Sequence, residues 1–303
     1  MIPRVMPAAI AATGLTKDFG ADHGIFDLDL EVHAGEAFGF IGPNGAGKTT
    51  TLRLLMDLLR PTRGSATVLG LDTQTQGVAV RRRCGFLPGE APDYPNQTGA
   101  QILDLLAHLR GGVAAERITE LAGLFEIDLH RKYREYSHGN KQKVWLIQTF
   151  MHDPELVFLD EPTTGLDPLM QQVFRELVQA AKRRGATVFL SSHVLQEVQE
   201  ICDRIAVIHA GRLRRVGTID ELRLGQLHRL DVRLERAPDP LEIERLPGVS
   251  GVTLDGLRLR CSITGAMAPL LDALRPAGIV ALDSAEMSLE EVFLAEYGQP
   301  AHD

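Results

Sequence analysis

Phe38 to Thr51 reads FGFIGPNGAGKTTT, and no other stretch narrows the possible folds as far. Gly42, Gly47, Lys48 and Thr49 satisfy the G-x-x-x-x-G-K-[ST] spacing of a phosphate-binding loop. Glycines let successive backbone N–H groups turn inward around a polyphosphate with no Cβ in the way. Lys48 adds a point charge, and Thr49 supplies a hydroxyl for magnesium. The helix that follows aims its positive dipole end at the same phosphates. Leu52, Leu55, Met56 and Leu59 fall on one face of that helix, with Pro61 and Gly64 to close it. Ala37 to Ile41 predicts the buried strand that such a loop requires in front of it.

Bulk properties set further bounds. A chain of 303 residues has material for roughly two domains. Its net charge of -8 argues against a dominant nucleic-acid surface, which needs lysine and arginine to neutralise phosphates. Cys84, Cys202 and Cys261 lie far apart, with neither a disulfide framework nor a metal spacing, as expected of a reduced cytosolic protein. No apolar run approaches the ~20 residues that span a bilayer. Any action at a membrane is therefore expected from outside it.

Ala8 to Thr13 predicts a strand, followed by Lys17 to Gly20 (KDFG). Phe26, Leu28, Leu30 and Val32 then alternate with Asp27, Asp29 and Glu31, the period of a half-buried antiparallel sheet. Phe19 is either a strand-end core residue or an exposed ring that stacks on a base. After the phosphate loop come strand Ala66 to Leu69, polar or helical surface from Gln74 to Arg83, and short buried strand Cys84 to Leu87. Pro88 to Gly99 reads as a functional loop. Thr98 is placed to cap a helix carrying Ile102, Leu105, Leu106 and Leu109, and a second helix carries Ile118, Leu121 and Phe125. Residues 89–153 thus predict a mostly helical insertion. It contains YSHGNKQK from Tyr136 to Lys143, a small glycine-containing turn before an apolar helix through Trp145 and Phe150, either an anion site or an ordinary cap.

Leu156 to Leu159 is a continuous apolar run, a buried parallel strand that ends in Asp160 and Glu161. Adjacent acids at such an edge are costly unless they handle a cation or a proton. A turn, Thr164 to Asp167 (TGLD), leads into a helix through Phe174 and Leu177. Strand Thr187 to Leu190 delivers Ser191, Ser192 and His193 to the same edge, which makes His193 a candidate for a terminal phosphate. Helix Val194 to Cys202, strand Ile205 to Ile208 and a hairpin at Gly211 follow. Thr218 and Glu221 form a capping box. A domain boundary is expected at residues 224/225. Beyond it, strand, helix, hairpin, helix and strand predict a small α+β, ferredoxin-like domain, with Asp255-Gly256 as the hairpin turn and a last helix from Ser288 to Tyr297.

Taken in order, GPNGAGKTT, YSHGN, LVFLDEP, TGLD and SSH resemble the nucleotide-binding subunit of an ABC transporter from about Ala8 to Thr218. SLEEVFLAEY near the end, with the YSHGNKQK form, resembles more narrowly the ATPases of bacterial drug and antibiotic exporters. The resemblance implies an α/β P-loop NTPase core with an antiparallel β subdomain and a helical insertion. It implies ATP and magnesium, with Asn44, Gly45, Ala46, Gly47, Lys48, Thr49 and Thr50 around the phosphates. Thr49 and Asp160 would hold magnesium, Glu161 would activate water, and His193 would contact the γ-phosphate and steady Glu161. Phe19 matches the adenine-stacking aromatic. Ser137, His138, Gly139, Asn140 and Asp167 would serve ATP held by the opposite protomer. Expected partners are integral-membrane permease subunits and a second copy of the chain, at the cytoplasmic face of the membrane and without nucleic acid.

Two departures stand out. The family signature commonly reads L-S-G-G-Q, whereas Tyr136, His138 and Asn140 stand here around the retained Ser137 and Gly139. The glutamine expected after Leu87 is replaced by Gly89, and the neighbouring Glu90 becomes a candidate for the metal or the water. The competing expectation is a soluble ABC-type ATPase acting on ribosomes or DNA. A non-hydrolysing switch conflicts with the intact Asp160, Glu161 and His193 set.

Overall fold

Alternating burial builds the first sheet, and unbroken burial builds the second. In this computed structural model, which describes residues 8–21, 23–222 and 227–286, the chain divides into two compact units, Met1–Val216 and Gly217–Asp303. The first contains β1 (Ala8–Gly20), β2 (His23–His33), β3 (Ala37–Ile41), α1 (Lys48–Leu55), β4 (Arg63–Val68), β5 (Leu71–Asp72), α2 (Gly77–Arg83) and β6 (Cys84–Leu87). These are followed by α3 (Gly99–Leu109), α4 (Ala115–Leu124), α5 (His138–Phe150), β7 (Leu156–Asp160), α6 (Pro168–Arg183), β8 (Thr187–Ser192), α7 (Leu195–Ile201), β9 (Arg204–His209) and β10 (Arg212–Gly217).

β1 pairs antiparallel with β2 and β4, giving the sheet order β2-β1-β4-β5. The expected alternation holds for Leu28, Leu30 and Val32, which are buried, but it slips before them. Ile25 is fully buried and Phe26 only partly, because Asp27 adopts a left-handed φ of 50° and shifts the side-chain phase. The first strand runs past the expected Ala8 to Thr13 and takes in the KDFG residues, with Gly20 paired to His23.

The second sheet runs β10-β9-β3-β8-β7-β6, with β9, β3, β8, β7 and β6 parallel. β3, β7 and β8 are buried at every residue, as strands covered on both faces must be. Phe189 of β8 stacks on Phe38 of β3 at a centroid separation of 5.8 Å and meets Phe158 of β7 in a tilted contact at 5.7 Å. They belong to one core that also takes Ile10 and Leu28 from the first sheet and Leu52 and Leu55 from α1. Burying each such side chain stabilises the unit by roughly 1.5–3 kcal/mol and fixes where the parallel strands end. Helix α1 stops at Leu55, short of Leu59. Asp57 takes a φ of 54°, and its carboxylate pairs with Arg60 and Arg81, so the chain turns away. The insertion is helical as expected, and Thr98 closes a reciprocal capping box with Gln101 at the start of α3.

In the second unit, Thr218 and Glu221 exchange backbone-to-side-chain bonds of 2.8 and 3.2 Å around helix α8 (Ile219–Leu222). Then come β11 (Leu227–Leu234), α9 (Pro240–Glu244), β12 (Val249–Asp255), β13 (Arg258–Thr264), α10 (Ala268–Leu274) and β14 (Ile279–Glu286). Its antiparallel sheet is ordered β12-β13-β11-β14. Leu230, Val232, Leu259 and Ile263 face Ile243 of α9 and Leu270 and Leu274 of α10 in a separate core. The hairpin turn lies one residue later than expected, at Gly256 and Leu257, because Asp255 pairs with Arg258 and Gly256 takes a φ of 60°. The expected boundary at residues 224/225 and the expected last helix, Ser288 to Tyr297, lie outside the described residues.

Candidate active site

The phosphate loop leaves the buried end of β3 and is braced from two sides. Gly47 has a φ of 108°, and a Cβ there would strike the Ile25 side chain of β2, so both backbone and packing call for glycine. The Ala46 carbonyl accepts from the Gly211 amide at 3.0 Å, which ties the loop to the β9–β10 turn. Lys48 is buried and folds back over its own loop, donating to the carbonyls of Gly42 at 2.7 Å and Pro43 at 3.3 Å. Asn44 and Gly45 are exposed at the tip, while Ala46 is buried and Thr49 and Thr50 are half-buried at the helix start.

Parallel pairing brings the ends of β7 and β8 beside this loop. Asp160 is 1% exposed, and both its oxygens are engaged: Thr49 Oγ1 donates to Oδ2 at 2.7 Å and Ser191 Oγ to Oδ1 at 2.5 Å. Glu161 has a left-handed φ of 51°, and its amide donates to the Ser191 carbonyl at 3.1 Å. Glu161 Oε2 accepts from His193 Nδ1 at 2.8 Å, so that ring nitrogen carries the hydrogen. Glu161 Oε1 is buried, takes part in no hydrogen bond, and lies 3.3 Å from Lys48 Nζ. Lys48 thus pairs with Glu161, while the neighbouring Asp160 carboxylate has hydroxyl partners and no cationic one among the described residues, an arrangement that a further cation completes. Thr49 and Asp160 offer hydroxyl and carboxylate oxygens, the hard donors magnesium takes. Among the described residues no group of three His, Cys, Asp or Glu gathers as a metal cage. One or two protein oxygens plus substrate phosphates is the way magnesium is commonly held, so these residues fit it.

Ser137 caps α5, and its Oγ accepts from the Asn140 amide at 3.2 Å. Ser137 and His138 are exposed. A Cβ on Gly139 would meet the carbonyl of Gly165, and one on Gly165 would meet the His138 ring, so the signature turn and the TGLD turn pack directly together. Asp167 caps α6, its Oδ1 accepting from the Met170 amide at 3.0 Å, and is exposed. These residues gather with one another and not around Lys48.

Phe19 is 56% exposed with Lys17 Nζ 5.5 Å from its ring centroid, which removes the core reading. Glu90 is exposed and lines a mainly apolar groove of about 330 Å³ with Phe86, Pro88, Pro92 and Trp145. Gly89 is the residue that faces the acid: a Cβ there would sit 3.0 Å from Asp160 Oδ2.

Some supporting residues carried little sequence signal. Ser191 was visible as part of SSH, yet only strand register places its hydroxyl on Asp160. Gln142 is buried in α5, and its Nε2 donates to the Pro162 carbonyl at 2.9 Å, with a longer contact of 3.5 Å to the Glu161 carbonyl. A polar residue among Val144, Trp145 and Leu146 was its only cue. Glu197 accepts from Thr163 Oγ1, and from Ser192 Oγ at 2.8 Å, behind the turn that carries Glu161.

The ABC transporter family model matches residues 25–164. The chain is 39% identical over 299 residues to the daunorubicin resistance ATP-binding protein DrrA3 of Streptomyces coeruleorubidus, across 94% of this chain and 95% of that protein. A solved structure of an ATP-binding subunit of an ABC transporter superposes with a TM-score of 0.64 at 30% identity, covering 71% of this chain and 92% of that one. A bacterial ABC transporter cassette solved as a dimer shares the fold, with a TM-score of 0.63 at 22% identity over 69% of this chain and 98% of that one. On the strength of a relative 39% identical over nearly the whole of both chains, the chain belongs to the ABC transporter family as an ATP-binding, ATP-hydrolysing subunit.

Proposed function

We propose that this subunit closes on a second copy of itself around ATP and uses the cycle to power an exporter of the drug or antibiotic type, working from the cytoplasmic face through separate membrane-spanning permease subunits. Its likeness to a daunorubicin resistance protein over nearly its whole length supports the export reading. Among the described residues no helix is long and apolar enough to cross a membrane, so the pathway for cargo is assigned to other chains. The permease is assigned to the groove lined by Phe86, Pro88 and Trp145. Strand order β12-β13-β11-β14 with helices on one face supports a ferredoxin-like second unit.

Lys48 and the loop amides from Asn44 to Thr50 hold the β- and γ-phosphates, and Phe19 stacks on the adenine. Thr49 and Asp160 would hold magnesium, which when bound would supply positive charge to offset charge developing on the transferred phosphoryl group. Glu161 orients the attacking water and takes its proton. His193 fixes one oxygen of that carboxylate at 2.8 Å, leaving Oε1, which bonds to no donor, for the water. An incoming γ-phosphate competes with Glu161 for Lys48, so binding frees the base from its ion pair. Ser137, His138, Gly139, Asn140 and Asp167 complete the site of the facing copy.

The observation that carries this reading is the contact chain Lys48–Glu161–His193, at 3.3 and 2.8 Å, beside the Thr49–Asp160 pair. Glu161→Gln is expected to cut phosphate release by about 10² to 10⁴ while ATP-loaded dimers persist on size exclusion. A substituted chain that hydrolyses at the parental rate, or stays monomeric with ATP and magnesium, overturns the assignment.

A further inference from the structure

Glu161 needs an external restraint. Its φ of 51° is a left-handed conformation that a side chain with a Cβ disfavours, by about 1–2 kcal/mol for an ordinary residue, so its neighbours must over-determine it. On the amide side, the Ser191 carbonyl does this from β8. On the carbonyl side, the restraint comes from a different part of the unit: the buried Gln142 amide of α5, which donates to Pro162 and reaches Glu161.

We infer that Gln142 is a positioning residue, which fixes the main chain of the catalytic carboxylate and ties it to the helix that begins with Ser137. The inference rests on the proposed roles of Glu161 and Ser137. Helix α5 is a single element from His138 to Phe150, capped by Ser137, so a displacement of its first turn moves Gln142 as well. In a closed pair of chains Ser137 reads the γ-phosphate of one site, while Glu161 of the same chain works in the other. Gln142 is then a direct mechanical link between the two sites through one helix.

The same helix carries Trp145, one turn further along. It lines the apolar groove beside Pro88, and its Nε1 donates to Tyr133 Oη at 2.7 Å. Gly89 offers no side chain through which that groove could touch Asp160. Gln142 gives the groove a second route to the site, by way of α5 and the Glu161 turn. Its amide is a good coupling element because the contact is directional. Rotating or sliding α5 by a fraction of a turn breaks the bond to Pro162, and a restraint lost at Glu161 misplaces the base without touching the nucleotide.

Gln142→Met keeps size and apolar packing and removes both donors. In the full-length chain with its membrane partner, kcat for ATP hydrolysis is expected to fall roughly tenfold, with KM for ATP within about twofold, because the groups that hold nucleotide are untouched. Combining it with Ser137→Ala is expected to lower kcat by less than the product of the single effects, since both act through one helix. A folded Gln142→Met chain with kcat within about twofold of the parent, a loss carried by KM, or strictly multiplicative effects with Ser137→Ala each overturn the inference. If the Met chain does not fold, Gln142→Asn, which keeps an amide one methylene too short, is read by the same criteria. Glu161→Gln measured alongside separates the two levels. Normal hydrolysis there removes the underlying reading, whereas its loss together with an indifferent Gln142→Met removes only the role of Gln142.

Discussion

The two edges of the first unit solve different problems with similar residues. At the ends of β3, β7 and β8, Lys48, Thr49, Asp160, Glu161, Ser191 and His193 close on one another, and Asp160 is almost wholly buried. At the starts of α5 and α6, Ser137 and Asp167 cap their own helices and otherwise face solvent, with His138 exposed beside them. The first set is chemically coupled inside one chain. The second presents backbone amides and small polar groups outward, as a surface that receives an anion does. The proposed closure of two copies around ATP uses this division, each chain lending the other its outward edge.

Asp160→Ala breaks the inner edge most severely. It leaves the Thr49 and Ser191 hydroxyls without their carboxylate, and phosphate release is expected to drop at least about 10², with stability reduced by roughly 1–3 kcal/mol. Calorimetry and a phosphate assay check both. Ser137→Ala tests the outer edge. Loss of an exposed cap costs only about 1 kcal/mol, yet hydrolysis is expected to fall steeply because the facing site loses a γ-phosphate contact. The decisive version mixes Ser137→Ala chains with Glu161→Gln chains, each strongly impaired alone. A mixed dimer contains one intact site, so random exchange restores roughly a quarter of the parental rate. If mixing restores nothing, both residues serve the same chain's nucleotide and the contrast between the edges collapses. A smaller effect sharpens the inner edge: Ser191→Ala removes a 2.5 Å bond to the buried Asp160 carboxylate, and a loss of about tenfold in kcat with stability lower by about 1–2 kcal/mol is expected.

How much of this was legible follows from where the physics is local. The phosphate loop, the buried strand Leu156–Asp160 and the cap at Thr98 depend on short-range pattern and came through nearly to the residue. The phase slip at Asp27 did not, because a left-handed residue inside a strand breaks alternation without leaving a glycine to mark it. Helix α1 was read too long because its end is set by the pairing of Asp57 with Arg81, distant in the chain. At the site, types and spacing named Lys48, Thr49, Asp160, Glu161 and His193. The hydroxyl of Ser191 and the amide of Gln142 were beyond reach, since strand register and helix packing decide where they point. Glu90, a candidate because it adjoins the missing glutamine, is exposed and lines the apolar groove, a placement that depends on the loop's path and not on spacing.

The smallest effect concerns the scaffold that holds both edges in one chain. His152 follows α5 at the end away from Ser137, and its Nε2 donates to the Cys84 carbonyl at the start of β6 at 3.2 Å, while Nδ1 is buried without a partner. Burial, with the nearby Arg110 charge, lowers its pKa from 6.5 to about 4. In the unfolded chain the ring gains a proton near pH 6.5, whereas the folded ring resists until about pH 4. Stability contributed by the neutral ring is therefore full above pH 6.5, falls as the pH drops through this window, and levels off below about 4, a loss of at most about 3 kcal/mol. Thermal melts from pH 7 to pH 4 are expected to show that decline, and His152→Gln, which cannot titrate, is expected to flatten it. If the substitution leaves the slope unchanged, the acid sensitivity lies elsewhere, and the junction between α5 and β6 is not the part of the scaffold that protons loosen.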